Sequence, residues 1–311
     1  MKFSVITPCF NRRDYIAEAI ESVLAQAYPD FEHWIIDAGS TDGTLEVLGR
    51  YGHLKVVSEP DHGVYDGMNK GIRRAKGDVV VLLNSDDVLT PGAFRLAAEL
   101  LSNTVGTMLV SGGCEIFRTT AAGRELVMHR YLNPRRYQLS LENATVGHPF
   151  INARFFRRKV FEQIGLFDLR YPIAADRDFL IRAALRGLPD APVTRLLYRY
   201  RWHPGSLTMN AGNASLLQGM QDGLEIARHY LSAGRLTPAD ARHFEQWRRE
   251  SRANEVMIHA VNGALLTAAL AAVRSIGREP LTAATLVRLG ILALCRRART
   301  WYRLRRAHDE A

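Results

Sequence analysis

The sequence predicts an α/β fold in which a mostly parallel, doubly wound sheet is flanked by helices and followed by a helical extension. In the first hundred residues, short β-rich apolar runs alternate with longer segments whose apolar residues recur at helical spacing. After residue 213 every apolar segment has helical spacing. We therefore expect a first domain over residues 1–212 and a helical second domain over residues 213–311.

Four strands and four helices are predicted in order. The first helix has Ile16, Ile20 and Val23 on one face, the second begins with Ser and Asp caps, and the fourth begins at Pro91. The predicted strands cover residues 3–8, 33–37, 54–58 and 78–84, and the predicted helices cover residues 12–26, 40–51, 63–75 and 91–101.

Composition bounds the class of protein. The 47% hydrophobic and 23% charged content is typical of a folded soluble chain. Three cysteines without a C-x-x-C pair predict neither a disulfide framework nor a zinc knuckle, and they fit a reducing compartment. The N-terminal segment reaches polar residues too early for a signal peptide, so we expect a cytoplasmic protein.

Polar and aromatic residues follow the predicted strands at the point where each strand ends. In doubly wound sheets, ligands bind at the carboxyl ends of the strands, where the strand order reverses. These sequence positions therefore predict a ligand site at one edge of the sheet. The residues concerned are Pro8, Phe10 and Asn11 after the first strand, Asp37 at the end of the second, and Asp86 and Asp87 after the fourth.

Two adjacent carboxylates at a strand end need a positive partner. No G-x-G-x-x-G and no P-loop follows the first strand, which argues against a dinucleotide-dependent dehydrogenase. A nucleotidyltransferase would use the same sheet, but it would need a glycine-rich and basic loop there. Paired aspartates suit Mn²⁺ or Mg²⁺, which could carry the charge of bound phosphates.

Several segments, taken in order, resemble family 2 glycosyltransferases with the GT-A fold. They are SVITPCFNRRDYIAEAIESVLAQ, WIIDAGSTDGT, EPDHGVYDGMNKGI, GDVVVLLNSDDVL, GHPFINARFFRRKVFEQIGLFD and AADRDFLIRAAL. The resemblance is strongest to exopolysaccharide and colanic-acid-type sugar transferases. It implies that residues 1–212 form a nucleotide-sugar-binding catalytic domain. It also implies an inverting enzyme that moves one sugar from a nucleotide diphosphate donor to an acceptor hydroxyl.

The resemblance also implies roles for residues at the strand ends. Asp87 would bind the cation that bridges the diphosphate, and Asp86 would face the ribose or share the metal. His203 is a further candidate metal ligand. The residues expected to bind the nucleotide sugar are Pro8, Phe10, Asn11, Asp37, Asp66, Asn69 and Asp86.

Two positions depart from the family pattern. Many relatives have a second acid where Ala38 stands, and that acid often contacts uracil. Met68 stands where an arginine often precedes Asn69. The donor is therefore expected to be a GDP-sugar or a UDP-sugar, and we favour GDP.

The resemblance places the catalytic base at Asp176, at the start of a helix. Asp178 is assigned a structural role, and His148 is expected on the acceptor side. A catalytically silent sugar-nucleotide-binding scaffold is the alternative function. It would predict a damaged metal or base position, yet Asp86, Asp87 and Asp176 are all present.

The C-terminal third is basic. Residues 296–306 contain six arginines and no acid, a pattern typical of binding to nucleic acid or to an anionic membrane surface. The resemblance implies a glycan or lipid-linked acceptor in surface polysaccharide synthesis, and we expect no nucleic-acid partner. The 15 apolar residues 281–295 are too few to span a bilayer. They suit either a helix lying on the inner face of the membrane or a helix packed in a homodimer.

Overall fold

The computed structural model describes residues 1–120, 122–147, 150–206, 214–261 and 264–288. These residues fall into two compact units, Met1–Asn210 and Ala211–Ala311. The strands of the first unit are β1 (Phe3–Cys9), β2 (Phe31–Asp37), β3 (Leu54–Ser58), β4 (Val79–Leu82), β5 (Val88–Leu89), β6 (Leu109–Thr119), β7 (Glu125–Tyr131), β8 (Arg154–Arg157) and β9 (Asp190–Arg201). Its helices are α1 (Ile16–Leu24), α2 (Thr44–Leu48), α3 (Val64–Arg74), α4 (Ala93–Asn103), α5 (Leu141–Thr145), α6 (Lys159–Ile164) and α7 (Ala175–Leu185).

All nine strands of the described chain belong to one sheet, in the order β3-β2-β1-β4-β8-β6-β9-β5, with β7 paired to β6. The four N-terminal strands are parallel to one another. The chain runs outward from β1 through β2 to β3 and then returns to place β4 on the other side of β1. The strand order therefore reverses between β1 and β4, and in such sheets ligands bind at the carboxyl ends of the strands at the reversal.

The central strands are buried on both faces, as parallel strands covered by helices must be. Phe3 and Val5 of β1 pack with Phe94 and Phe155 on one side. On the other side α3 lies very close to β1, since a Cβ at Gly71 would be 2.2 Å from Ile6 Cγ2. This close approach holds α3 against β1.

The secondary-structure elements described in the second unit are all helices. It contains α8 (Ala214–Ser232), α9 (Pro238–Val261) and α10 (Leu265–Arg278), and residues 281–288 are also helical. Tyr230 of α8 stacks on Phe244 of α9 with ring centroids 5.1 Å apart. Glu279 accepts ion pairs from three arginines of α9, namely Arg248, Arg249 and Arg252. Within the described ranges, no helix has the length and apolar character needed to cross a membrane.

The predicted fold class is confirmed. Each predicted strand and helix of the first hundred residues overlaps an observed element, and the four predicted strands are parallel. Five further strands, β5 to β9, complete the sheet. They add antiparallel pairs β4–β8, β6–β8, β6–β7 and β5–β9, so the complete sheet is mixed. Cys9 and Cys114 are free and buried, and Cys295 lies outside the described residues.

Candidate active site

The two adjacent aspartates after β4 lie in different environments. Asp87 is 1% exposed, and its carboxylate accepts hydrogen bonds from Tyr198 Oη at 2.6 Å, the Arg201 backbone N–H at 2.7 Å and Asn84 Nδ2 at 3.0 Å. Burial and the neighbouring charge of Asp86 raise the pKa of Asp87 well above its usual value, although the three donors oppose the rise. Asp87 therefore joins the turn after β4 to strand β9.

The Asp86 side chain, in contrast, is 17% exposed. Its Oδ2 lies 3.0 Å from His203 Nε2 and 3.4 Å from Arg12 Nε. Burial alone would raise the pKa of Asp86, but His203 and Arg12 outweigh it and hold the pKa below its usual value. His203 in turn stacks on Tyr15, with ring centroids 4.7 Å apart. Asp86 and His203 thus form a partly open acid–imidazole pair.

Arg201, at the end of β9, supports both aspartates. Its Nε donates to the Asp86 carbonyl at 3.0 Å, in addition to the backbone bond to Asp87. The guanidinium also binds Thr119 Oγ1 at 2.8 Å and Glu18 Oε2 of α1 at 2.5 Å. Arg201 therefore ties β9, β6 and α1 together beneath the acid–imidazole pair.

The loops after β1 and β2 are interlocked. Asn11 has a left-handed backbone (φ 52°), a conformation that asparagine tolerates better than most residues. Its backbone N–H donates to Ser40 Oγ at 2.8 Å, and its Oδ1 accepts from the Thr41 N–H at 2.9 Å. Phe10 is 54% exposed, although large aromatic side chains usually bury most of their surface.

Asp37 is fully buried, and the chain supplies the partners of both its carboxylate oxygens. Oδ2 accepts from Ser58 Oγ at 2.6 Å, the Ser40 N–H at 3.0 Å and the Gly39 N–H at 3.1 Å, and Oδ1 accepts from Ser40 Oγ. In this structure the Asp37 carboxylate therefore orders the loop after β2. Its expected contact with the nucleoside stays a prediction.

Helix α3 presents three pairs of residues at i,i+4 spacing, each to a different neighbour. Gly67 and Gly71 face β1, where a Cβ at Gly67 would lie 3.1 Å from Pro8 Cβ. Asp66 accepts from the His62 N–H at 3.1 Å and lies 3.6 Å from Lys70 Nζ, so this pair faces the preceding loop.

The third pair on α3 faces the segment that leads to α7. The Asn69 amide pairs with the backbone of a single residue, because Nδ2 donates to the Phe167 carbonyl at 2.9 Å and Oδ1 accepts from the Phe167 N–H at 3.0 Å. Tyr65 Oη donates to the Ile173 carbonyl at 3.0 Å and is hydrogen-bonded to the Asp176 carboxylate. Helix α3 therefore links β1 to Asp176.

Asp176 lies in the first turn of α7 and is half-buried. Burial raises the pKa of its carboxyl, while the Arg177 charge and hydrogen bonds from Arg177 and Tyr65 partly offset the rise. The Arg177 guanidinium donates to the carbonyls of Thr145 at 2.6 Å and of Ala144 and Gly147 at 3.3 Å. Arg177 thereby fixes the end of α5 beside Asp176.

Asp178 has the structural position expected from the sequence. It is buried and accepts from Arg182 Nε at 2.8 Å, and Arg182 also binds the carbonyls of Ile164 and Leu166. This pair attaches α7 to the segment after α6. His148, expected on the acceptor side, lies outside the described residues.

The structure brings the predicted residues into three groups. Asp86, Asp87 and His203 meet at the end of β4, and the loops that carry Phe10, Asn11 and Asp37 are joined to each other. Asp66 and Asn69 lie on α3, and Pro8 of β1 packs against that helix. Five supporting residues were not predicted, namely Arg12, Tyr65, Arg177, Tyr198 and Arg201. For Tyr65 a sequence signal existed, because it lies four residues before Asn69 on one helical face.

Comparison with known proteins gives concordant matches. Residues 4–165, just over half of the chain, match the model of glycosyl transferase family 2. An uncharacterized glycosyltransferase of Mycobacterium tuberculosis is 35% identical over 188 residues, which cover 58% of this chain and 68% of the relative.

Two solved structures have the same fold at 20% sequence identity. TarS 1-349 of S. aureus, in complex with UDP-GlcNAc, matches with a TM-score of 0.60 over 83% of this chain and 72% of its own. Mannosyltransferase PcManGT from Pyrobaculum calidifontis, in complex with GDP-Man and Mn²⁺, matches with a TM-score of 0.61 over 96% of this chain and 82% of its own. The chain belongs to glycosyl transferase family 2, and it is a glycosyltransferase with the GT-A fold.

Proposed function

We propose that this glycosyltransferase is an inverting, metal-dependent enzyme that moves one sugar from a nucleotide diphosphate sugar to an acceptor hydroxyl. The observation that carries the proposal is the pairing of Asp86 with His203, 3.0 Å apart at the strand-order reversal. Helix α3, which packs on β1, is hydrogen-bonded through Tyr65 to a further carboxylate, Asp176, whose pKa is raised by burial. Two candidate ligands for one metal ion and a candidate general base in the same unit suit glycosyl transfer.

The residues at the end of β4 fit a divalent cation. Asp86 and His203 offer an oxygen and a nitrogen ligand, and Asn84 Oδ1 is a buried oxygen without a partner in the described part of the chain. The described residues contain no group of three or more acidic, histidine or cysteine ligands, so donor phosphates and water would complete the coordination. An imidazole ligand favours Mn²⁺ over Mg²⁺. The bound ion would neutralise charge on the leaving diphosphate.

The placement favours Asp86 over Asp87 as the principal ligand. Asp87, which the sequence suggested for this role, already accepts three hydrogen bonds inside the protein. Moving its carboxylate onto a metal would leave buried donors unsatisfied. Asp87 would therefore hold the turn while Asp86 and His203 bind the ion.

Asp176 would act as the general base. The acceptor oxygen attacks the anomeric carbon, the bond from that carbon to the diphosphate oxygen breaks, and the hydroxyl proton passes to the Asp176 carboxylate. Burial moves the pKa of Asp176 towards the working range of a base, and the N-terminal turn of α7 stabilises its ionised form. Tyr65 and the Arg177 backbone orient the carboxylate.

The nucleoside would lie across the interlocked loops. Exposed Phe10 offers an aromatic face to the base, and Asn11 and buried Asp37 keep the loops in position. Ala38 offers no side-chain acceptor for uracil, so we favour a GDP-sugar over a UDP-sugar. The solved relatives include one complex of each kind, with GDP-Man and with UDP-GlcNAc.

The acceptor would be a lipid-linked glycan used in surface polysaccharide synthesis, with His148 on the acceptor side. Such an acceptor would place the enzyme in the cytoplasm at the inner face of a membrane.

The donor can be identified by incubating the full chain with Mn²⁺ and each of a panel of UDP- and GDP-sugars. We expect release of free nucleotide from one donor class, GDP-sugars, and loss of that release with EDTA. Asp178→Asn serves as a control for Asp176→Asn, because it removes a neighbouring carboxylate of α7 that is used only for structure. Release that does not depend on a metal, or that is unchanged in both Asp86→Asn and His203→Ala, would remove the metal site from the proposal.

A further inference from the structure

Helix α10 exposes several large apolar side chains, while two of its small residues are buried. Leu266, Leu270 and Val273 are 76%, 50% and 71% exposed. Ala268 and Ser275 are only 6% and 7% exposed, and α10 packs against α9. A surface helix of a soluble protein normally has the opposite arrangement, with its large apolar residues towards the core.

The exposed residues form one continuous stripe. Leu266, Leu270 and Val273 stand at i, i+4 and i+7, so they share one helical face over about 10 Å of helix. Leu281 and Val287 in the following helical segment are each 63% exposed as well. Grouped apolar side chains of this kind mark an interaction surface, whereas single exposed ones do not.

The charge around the stripe indicates the kind of partner. Arg274 and Arg278 follow the apolar residues on α10, and residues 264–311 contain nine arginines against three acidic residues. A second copy of the chain would bring the same positive charges together. An anionic surface would attract them.

We propose that the α10 stripe, Leu266, Leu270 and Val273, docks the protein on the surface of an anionic phospholipid bilayer, with Arg274 and Arg278 at the level of the headgroups. A helix with an apolar face and flanking arginines binds in the plane of the interface. The purpose of docking rests on the proposed function, since it would bring the enzyme to a lipid-linked acceptor. The binding itself is a separate property.

The test is flotation of the full chain with vesicles of phosphatidylcholine alone or mixed with phosphatidylglycerol. We expect binding to the anionic vesicles that weakens as salt is added. Leu270→Gln/Val273→Gln should lower the partition constant by about tenfold or more, because two apolar side chains no longer enter the interface. Val105→Gln is the matched control, since Val105 is fully exposed on a loop of the first unit and should bind like the unaltered chain.

A second variant tests the charge separately. Arg274→Gln/Arg278→Gln should reduce binding to anionic vesicles by about fivefold per arginine and leave binding to phosphatidylcholine unchanged. Thermal unfolding checks that both double variants remain folded. If the apolar variant unfolds, the charge variant still decides the proposal.

Three results would overturn the docking surface. The first is no binding of the unaltered chain to anionic vesicles, and the second is equal binding by the Leu270→Gln/Val273→Gln variant. The third is a dimer in sedimentation that this variant dissociates without any change in vesicle binding. Nucleotide release measured without vesicles separates the two proposals. If the chain releases nucleotide but does not bind vesicles, only the docking proposal is contradicted. If it binds vesicles but transfers no sugar, only the proposed function is contradicted.

Discussion

Replacing Asp87 with asparagine should destabilise the first unit, whereas the same change at Asp86 should abolish metal-dependent donor binding and leave stability nearly intact. Asp87 accepts from Tyr198, Arg201 and Asn84, and it is 1% exposed. An asparagine there keeps one acceptor oxygen and turns an NH₂ group towards donors on the other side. If the oxygen stays with the Arg201 N–H, the NH₂ group faces Tyr198 Oη and Asn84 Nδ2. Asn84 can flip its amide, but the buried Tyr198 hydroxyl then loses its acceptor.

At least one buried donor therefore loses its acceptor in Asp87→Asn, which costs roughly 1–3 kcal/mol. For a unit of the size of Met1–Asn210, a loss of about 2 kcal/mol lowers Tm by roughly 4–8 °C. Asp86→Asn leaves no fully buried donor without an acceptor, because the asparagine oxygen can still accept from His203 and the Arg12 side chain is 27% exposed. We expect a Tm change within about 2 °C for that variant.

The measurement is paired for the two variants, with differential scanning fluorimetry for Tm and titration calorimetry for nucleotide affinity with Mn²⁺ and with EDTA. The reasoning predicts a stable Asp86→Asn protein without Mn²⁺-dependent affinity, and a less stable Asp87→Asn protein that keeps it below its Tm. The opposite result would refute this reasoning. In that case the Asp87→Asn protein would be stable but without Mn²⁺-dependent nucleotide affinity, and the Asp86→Asn protein would keep that affinity.

Three further outcomes are expected. Asp176→Asn should keep donor affinity and lower kcat by about 10²–10⁴-fold, because only proton transfer is removed; near-normal turnover would mean that another residue is the base. Arg177→Gln should raise the acceptor KM by about tenfold with donor affinity unchanged, since it frees the carbonyls at the end of α5, while Arg182→Gln serves as a control that frees other carbonyls. Buried Glu32 accepts from Lys55, Ser4 and the Lys76 N–H, and although burial opposes them, these bonds lower its pKa from 4.5 to about 2. The ionised form of Glu32 therefore stabilises the fold fully above about pH 4.5, and this stabilisation is lost as the pH falls towards about 2. Glu32→Gln should lower the free energy of unfolding by roughly 1.5–3 kcal/mol at neutral pH and by progressively less in acid. A difference between the two proteins in urea unfolding that does not change with pH would contradict this.

The parallel half of the sheet was predictable because its elements are local. Strands such as Val79–Leu82 are continuous apolar runs, and the helices between them have a clear apolar face. The second half depends on pairing between distant segments. Strand β6 pairs in parallel with β9, and its two glycines allow close approach, since a Cβ at Gly112 would lie 2.2 Å from Leu197. No short-range pattern encodes that partner.

The site residues were predictable by type, but their contacts were not. Asp86 and His203 are separated by 117 positions, and only the return of β9 beside β5 brings them together. Asn69 and Phe167 are 98 positions apart. The sequence also does not indicate that the Asp37 carboxylate is buried and hydrogen-bonded to Ser40 and Ser58, because a buried aspartate and an exposed aspartate at a strand end have the same sequence pattern.

The two adjacent aspartates after β4 lie in different environments, and this difference allows each of them a separate role. If both carboxylates were exposed at the strand end, only the metal could offset their mutual repulsion. Neither carboxylate would then attach the turn after β4 to β9. Instead Asp87 is buried with a raised pKa, and its three donors fix the turn to β9. The same strand end carries Arg201 and leads to His203, which meets Asp86 and lowers its pKa. Opposite environments for adjacent acids give them opposite roles, one as the support of the turn and the other as an ionised ligand available before any cation arrives.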